Sequence, residues 1–209
     1  YPAEFAIALL NSQPMGFYAP AQIVSDAKQH GVTVLPIDIN ASAWDCTYES
    51  GSLRLGLRMV HGLGELAGYA IEALTKEGAE FSSMGSFWTA LKESAPFVRR
   101  AALELLAEAD AFRSMGYGSR EALWEIRALP ETPSPLEKLI TSYGGSREEQ
   151  PSLPTPSPQQ LLFQDYRATG VSLRGHPISL VREKLAHRGV QYAAELRGIA
   201  EDISQRYYE

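Results

Sequence analysis

Gly62, Gly64 and Gly68 fall within the stretch RMVHGLGELAG, Arg58 to Gly68, between two apolar segments. A turn of the form apolar-x-Gly-apolar-Gly, here VHGLG from Val60 to Gly64, suits the junction of two short antiparallel helices. The first backbone N–H groups of the second helix have no acceptor within it. With the positive end of the helix dipole they suit a phosphate oxygen, and glycine lets a sugar-phosphate chain approach without a Cβ in the way. Such a contact is blind to base sequence, because phosphates carry no base identity. The competing reading is that Gly62 and Gly64 only make a tight turn, and a bare GxG leaves both open. The stretch yields Arg58, His61, Gly62, Leu63 and Gly64 as candidate DNA-binding residues. His61 could donate to a phosphate or stand as a surface imidazole.

Other chemistry-bearing residues are sparser. Arg99 and Arg100 precede the helical pattern AALELLAEADAF and are either a second phosphate contact or a solvated face. Asp38, Asp45 and Glu49 are the acidic residues nearest one another in the N-terminal half, but an extended segment and a hairpin carry them. Two-metal phosphoryl transfer needs carboxylates clustered so that the metals lie about 3.5–4 Å apart, and solvated turn residues are the plainer reading. His30, His61, His176 and His187 have no metal-ligand spacing with Cys46, so no zinc site is expected. No catalytic residue and no metal ligand is expected in this chain. Trp88, Phe97, Phe112 and Trp124 read as helix-face core residues rather than base-stacking platforms.

The bulk composition limits what these residues can mean. The chain has 209 residues, 44% hydrophobic and 21% charged, which fits one large domain or two small ones. A net charge of -6 argues against coating nucleic acid through bulk positive charge, so any such contact must be local. A lone cysteine fits a reducing cytoplasm. No run approaches the roughly 18 apolar residues of a membrane span, and no membrane partner is expected. The start at Tyr1, running straight into a helical pattern, suggests a fragment of a longer protein.

The elements that must hold the GxG turn are mostly helical. Pro2 in a first turn with Phe5, Ile7, Ala8 and Leu9 predicts a short buried helix ending near Asn11. A second helix over AQIVSDAKQHG carries Ile23, Val24 and Ala27 on one stripe, with Gly31 as its C-cap. VTVLPIDIN reads as extended chain interrupted by Pro36, and Trp44 to Leu55 as a β-hairpin turning at Ser50-Gly51. LGLRMV is helical in pattern. After the glycine turn, Leu66, Tyr69, Ala70, Ala73 and Leu74 share one helical face. Further helices are expected from an N-cap at Ser86, from Pro96, and from a cap at Ser119. Seven prolines between Pro130 and Pro158 make residues 130–157 a flexible linker. Two helical stretches, PQQLLFQDYRATG and PISLVREKLAHRG, follow it, with a last helix around Tyr192 to Ile199. The fold class is therefore mainly α: a helix-hairpin-helix domain with a small β-hairpin, plus a C-terminal helical extension after a proline-rich linker.

The opening YPAEFAIALLNSQPMGFYAPAQIVSDAKQHGVTVLPIDINASAWDCT closely resembles the end of the fingers region in bacterial C-family polymerases, the α subunits of DNA polymerase III. NSQPMGFYAPAQIVSDA, LRLGLRMVHGLGE and DYRATGVSLRGHP look like the error-prone, damage-tolerant branch of that family. The resemblance covers nearly the whole chain, weakening in the linker and after about Val190. It implies that residues 1–40 end the fingers, that 41–129 form the helix-hairpin-helix DNA-binding region, and that 158–209 lead toward an OB-fold outside this chain. It also implies a second, degenerate hairpin before Arg99 and Arg100. The family's carboxylates hold two magnesium ions in a palm upstream of the fingers, and nothing here corresponds to them. Magnesium is therefore a cofactor expected of the parent polymerase, with none in this fragment and no polymerisation by it alone.

QQLLF, Gln159 to Phe163, has the glutamine, leucine and phenylalanine order of peptides with which bacterial polymerases grip the sliding clamp. Gln159, Leu162 and Phe163 would be its anchors. Leu161 and Leu162 also fall where the family has an apolar helix, and buried side chains cannot grip a clamp. Three functions remain in view. One is a non-catalytic, duplex-binding part of an error-prone DNA polymerase acting on primer-template in damage-induced mutagenesis and translesion synthesis. A second is a module that recruits the sliding clamp or an accessory mutagenesis protein. The third is a free-standing helix-hairpin-helix protein.

Overall fold

The computed structural model describes residues 1–76, 78–131, 154, 156–191 and 196. The expected linker lies almost wholly outside the described residues, as does the helix expected around Tyr192 to Ile199. Tyr1–Leu173 forms one compact unit and Arg174–Glu209 a second. Among the described residues no helix is long and apolar enough to cross a membrane.

Pro2 opens helix α1 (Pro2–Asn11) and Pro20 opens α2 (Pro20–Gln29). Proline is favoured at a first turn because its missing N–H would have had no partner there. α2 buries Ile23, Val24 and Ala27, the expected stripe, and Gly31 follows it with a positive φ. The buried face of α1 differs from the expected one. Ala3, Ala6 and Leu10 point inward, while Phe5 is 66% exposed. α1 is apolar nearly all round, so periodicity does not select a face; the buried one carries the small residues Ala3 and Ala6 with Leu10.

The β-hairpin is present and belongs to a three-stranded sheet. Strands β2 (Thr47–Glu49) and β3 (Ser52–Arg54) pair antiparallel through Ser50 and Gly51. Both turn residues have positive φ, as a two-residue turn matched to strand twist requires. The extended segment before Pro36 supplies β1 (Val34–Leu35), parallel to β3 with Val34 opposite Leu53. Two residues carry too short a pattern to announce a strand. Beneath the sheet lies Cys46, whose carbonyl accepts from Asn11 Nδ2 at 2.9 Å and whose Sγ accepts from Gly56 N at 3.3 Å. Burial pushes its thiol pKa from 9.0 up to about 11. The unfolded thiol therefore ionises first, and the stability this buried thiol contributes falls as pH rises from about 9 toward about 11. A disulfide exchange reagent at pH 8 is expected to leave Cys46 unlabelled until denaturant opens the fold. Rapid labelling of native protein would contradict this burial.

Helices α3 (Glu65–Lys76), α4 (Met84–Ser94), α5 (Arg100–Glu108) and α6 (Ser119–Ala128) complete the core. Their starts sit a few residues from the expected caps. Ser83, rather than Ser86, caps α4, accepting from Ser86 N at 3.3 Å. Pro96 belongs to the turn before α5, and Gly118 rather than Ser119 precedes α6, its N–H donating to Glu121. Phe81, Phe87 and Phe112 stack edge-on at 5.2 and 6.0 Å, and Trp88 is buried with its indole N–H on Pro130 O. Phe97 and Trp124, expected in the core, are exposed.

The division expected at residue 40 is not a division of the packing. Ile39 N donates to Ala111 O, and buried Asp38 accepts from Asn40 N and from Ser114 N and Oγ. These bonds tie the N-terminal segment to the turn after α5. Helix α7 (Pro158–Thr169) joins the same unit, with Leu162 buried and Gln164 Nε2 donating to Glu108 O at 2.8 Å. Arg174–Glu209 contains a 3-10 turn over Pro177–Val181 and a short helix α8 (Arg182–Ala186).

Candidate nucleic-acid interface

The segment expected as a helix before the glycines is a single 3-10 turn, Leu57–Met59. Leu57, Met59, Val60 and Leu63 are buried, so side chains fix both shoulders of the turn and leave its backbone outside. Gly62 has φ +80°, a conformation other residues adopt only with strain. Gly64 O accepts from Ala67 N and Gly68 N at 3.0 Å, starting α3. Among the described residues the N–H groups of Gly64, Glu65 and Leu66 have no protein acceptor. All three residues are exposed, and a Cβ on Gly64 would meet nothing within 4 Å. The geometry is an uncapped helix start at an unobstructed glycine.

A second turn of the same build shows what capping does. Gly116 has φ +82°, Tyr117 is buried like Leu63, and Gly118 precedes α6 as Gly64 precedes α3. There Glu121 folds back, its Oε2 accepting from Gly118 N at 2.5 Å. A carboxylate thus already occupies that helix start. α3 has Ala67 at the matching position, and its acidic first residue, Glu65, is engaged by the Tyr69 hydroxyl. The Tyr69 phenol is held above its ordinary pKa, first by desolvation and then by that carboxylate. The capping signature, glycine with glutamate three residues later, was readable in GSRE.

The turn before α5 repeats the hydrogen bonds of the first hairpin. Val98 N donates to Ala95 O as Leu63 N does to Val60 O, and Ala102 N to Arg99 O as Ala67 N to Gly64 O. Arg99 is exposed there. Arg100 instead turns inward, its Nη2 donating to Leu129 O at 2.6 Å. Arg58 is committed as well: it pairs with Asp45 at 2.6 Å and donates to Asn11 O and Gln13 O at 2.8 and 3.3 Å. Of the three candidate arginines, only Arg99 presents an exposed guanidinium.

His61 faces α7. Its N–H donates to Ala168 O at 2.7 Å, and its Nδ1 lies 3.0 Å from Arg167 O, which makes Nδ1 the protonated nitrogen. Gln159 and Phe163 are exposed, Phe163 by 71%, but Leu162 between them is only 4% exposed. α7 is a regular helix, and it does not bring these three side chains to one surface.

The acidic trio is dispersed among structural roles: Asp38 with Ser114, Asp45 with Arg58, and Glu49 with Arg54 at 2.8 Å. Among the described residues no three His, Cys, Asp or Glu side chains come close enough to hold a metal ion. Asp38, Asp45 and Glu49, each engaged elsewhere in the fold, do not form a two-metal centre.

The helix-hairpin-helix motif family matches residues 31–123. Error-prone DNA polymerase 1 of Rhizobium meliloti (strain 1021) is 37% identical over 96% of this chain and 20% of its own length. The error-prone DNA polymerase of Methylococcus capsulatus is 40% identical over 94% of the chain and 20% of its own. Error-prone DNA polymerase 2 of Agrobacterium fabrum is 42% identical over 93% of the chain and 18% of its own. The chain spans about a fifth of the length of the curated relatives it matches.

Proposed function

We infer, since the chain is homologous to a segment of the error-prone DNA polymerases, that it is a DNA-contacting part of such an enzyme and grips duplex DNA by its backbone through Val60–Gly64. The open start of α3 carries this reading: three exposed N–H groups without acceptors, beside a glycine whose missing Cβ faces free space. Phosphate oxygens supply the acceptors these donors lack, and the α3 dipole favours the charge. Arg99 at the second hairpin would add one cation. The parent would extend primer-template as a DNA-directed DNA polymerase in translesion synthesis, with magnesium held by residues other than those of this chain. The alternative role, recruiting a sliding clamp or an accessory protein through Gln159–Phe163, has the burial of Leu162 against it.

The test is an anisotropy titration of the 209-residue chain with duplexes of unrelated sequence. Affinities in the range of non-specific binding, about 10⁻⁴–10⁻⁶ M, and equal across sequences are expected. The logarithmic salt slope should stay at about 2 or below, because Arg58 and Arg100 are spent inside the fold. The same preparation, given magnesium and four nucleotides, should extend no primer. A tenfold preference for one sequence, or sustained extension by the purified chain, would overturn the reading.

A further inference from the structure

We propose that α7 is part of the DNA-binding unit, and that His61 is a positioning residue fastening the glycine turn to it rather than a phosphate ligand. The proposal rests on the hairpin reading above and assigns a role to a residue bonded to α7 rather than to the open N–H groups.

Three observations carry it. His61 satisfies two last-turn carbonyls of α7 at once, Ala168 O through its backbone at 2.7 Å and Arg167 O through Nδ1 at 3.0 Å. Those carbonyls lie among the last four of the helix, which have no intrahelical donor, so the turn serves as the C-terminal cap of α7. Next, Gly170 ends α7 with φ +70°, and a Cβ there would come within 3.4 Å of the Cε1–Nε2 edge of the His61 ring. Glycine at 170 therefore serves the reversal of the chain, and the imidazole edge packs beside it at ordinary contact distance. Finally, α7 is itself anchored. Arg167 pairs with Glu108 at 2.9 Å, Gln164 donates to Glu108 O and accepts from Ser119 Oγ, and Leu162 is buried. On its other flank Gly62 lies against Leu105 of α5, 3.5 Å from where its Cβ would be. The glycine turn is thus held between α5 and the end of α7, and a backbone cradle is useful only if its N–H groups are held in place before the phosphate arrives.

The two ring nitrogens allow a clean test, because asparagine places an amide nitrogen near the position of Nδ1 and glutamine near that of Nε2. His61→Ala, His61→Asn and His61→Gln in the whole chain should be compared by hydrogen exchange at the bonded amides of Val60, His61 and Leu63 and by duplex affinity. Loss of one such bond should raise exchange at the turn and weaken DNA binding, each by about three- to tenfold. Positioning through Nδ1 requires that His61→Ala and His61→Gln show both effects while His61→Asn matches the parent. The proposal fails if exchange at the turn is unchanged in His61→Ala. It also fails if His61→Gln keeps DNA affinity while His61→Asn loses it, which would make Nε2 a phosphate donor. If the parent binds no duplex, the hairpin reading fails alone, and the exchange pattern decides the role of His61.

Discussion

Gly64→Asp should weaken duplex binding by about ten- to a hundredfold while leaving the protein as stable as its parent or slightly more so. The two effects have opposite signs for one reason. Gly64 immediately precedes α3, where a short acidic side chain is among the favoured residues and gains a few tenths of a kcal/mol over glycine by accepting from first-turn N–H groups. Its φ lies outside the left-handed region and its missing Cβ faces open space, so the fold accommodates the change. The new carboxylate takes the Leu66 N–H, one of the donors proposed for phosphate, and sets a negative charge against it. Hydrogen bonds to charged groups contribute about 1.5–3 kcal/mol each, and every 1.4 kcal/mol is tenfold in affinity. The substitution would give the start of α3 a carboxylate, as Glu121 gives one to the start of α6, though Glu121 accepts from the Gly118 N–H and an aspartate at 64 from the first turn. Gly64→Asn, similar in size but uncharged, should lose less. Anisotropy titration with a thermal melt on each variant checks the pair of signs; Gly64→Asp binding within twofold of the parent would remove the hairpin from the interface.

The second large effect is expected at Gly68, on the buried face of α3. A Cβ there would overlap the Cε3–Cζ3 edge of the Trp44 ring. Trp44 is anchored at its backbone, whose N–H donates to Glu72 Oε2 at 2.9 Å, and its indole packs on Tyr69 with centroids 5.8 Å apart, so withdrawing the ring gives up that contact. In an unobstructed helix interior, glycine to alanine gains about 1 kcal/mol, whereas overpacking costs about 1–3 kcal/mol or more. With this overlap the second should win, giving Gly68→Ala a net loss of about 2 kcal/mol and a melting temperature about 4–8 °C lower. In a Trp44→Ala background the obstacle is gone, and Gly68→Ala should become neutral or stabilising. Denaturant melts of the four proteins of this cycle measure the coupling. Equal destabilisation in both backgrounds would show that Trp44 is not what requires glycine.

The same glycine bears on why the buried face of α3 differs from the expected one. Leu66, Tyr69, Ala70, Ala73 and Leu74 share a helical stripe, yet Leu66 is 73% exposed and the buried set is Gly68, Ile71, Glu72 and Leu74. The Trp44 ring packs against α3 at Gly68, and no periodicity within α3 contains Trp44. The glycine turn was legible because its requirements are local: a positive φ, a buried apolar residue and a second glycine lie within three positions. What engages the neighbouring charges was not. Arg58 reads as an available cation until its acceptors, 45 and 47 residues earlier, are placed beside it. The helix containing Gln159–Phe163 was visible in the pattern, but which of its leucines faced inward depended on α5.

The bond between His61 and Arg167 joins positions 106 residues apart, and this separation acts on the order of events during synthesis. The glycine turn and α3 are made before α5 and α7, whose Leu105 and last-turn carbonyls hold the turn in the finished fold. The cap that holds the turn against α7 arrives only after the last turn of α7 has been translated, about 5–20 s later at ordinary elongation rates. Until then a nascent chain displays the turn without its brace.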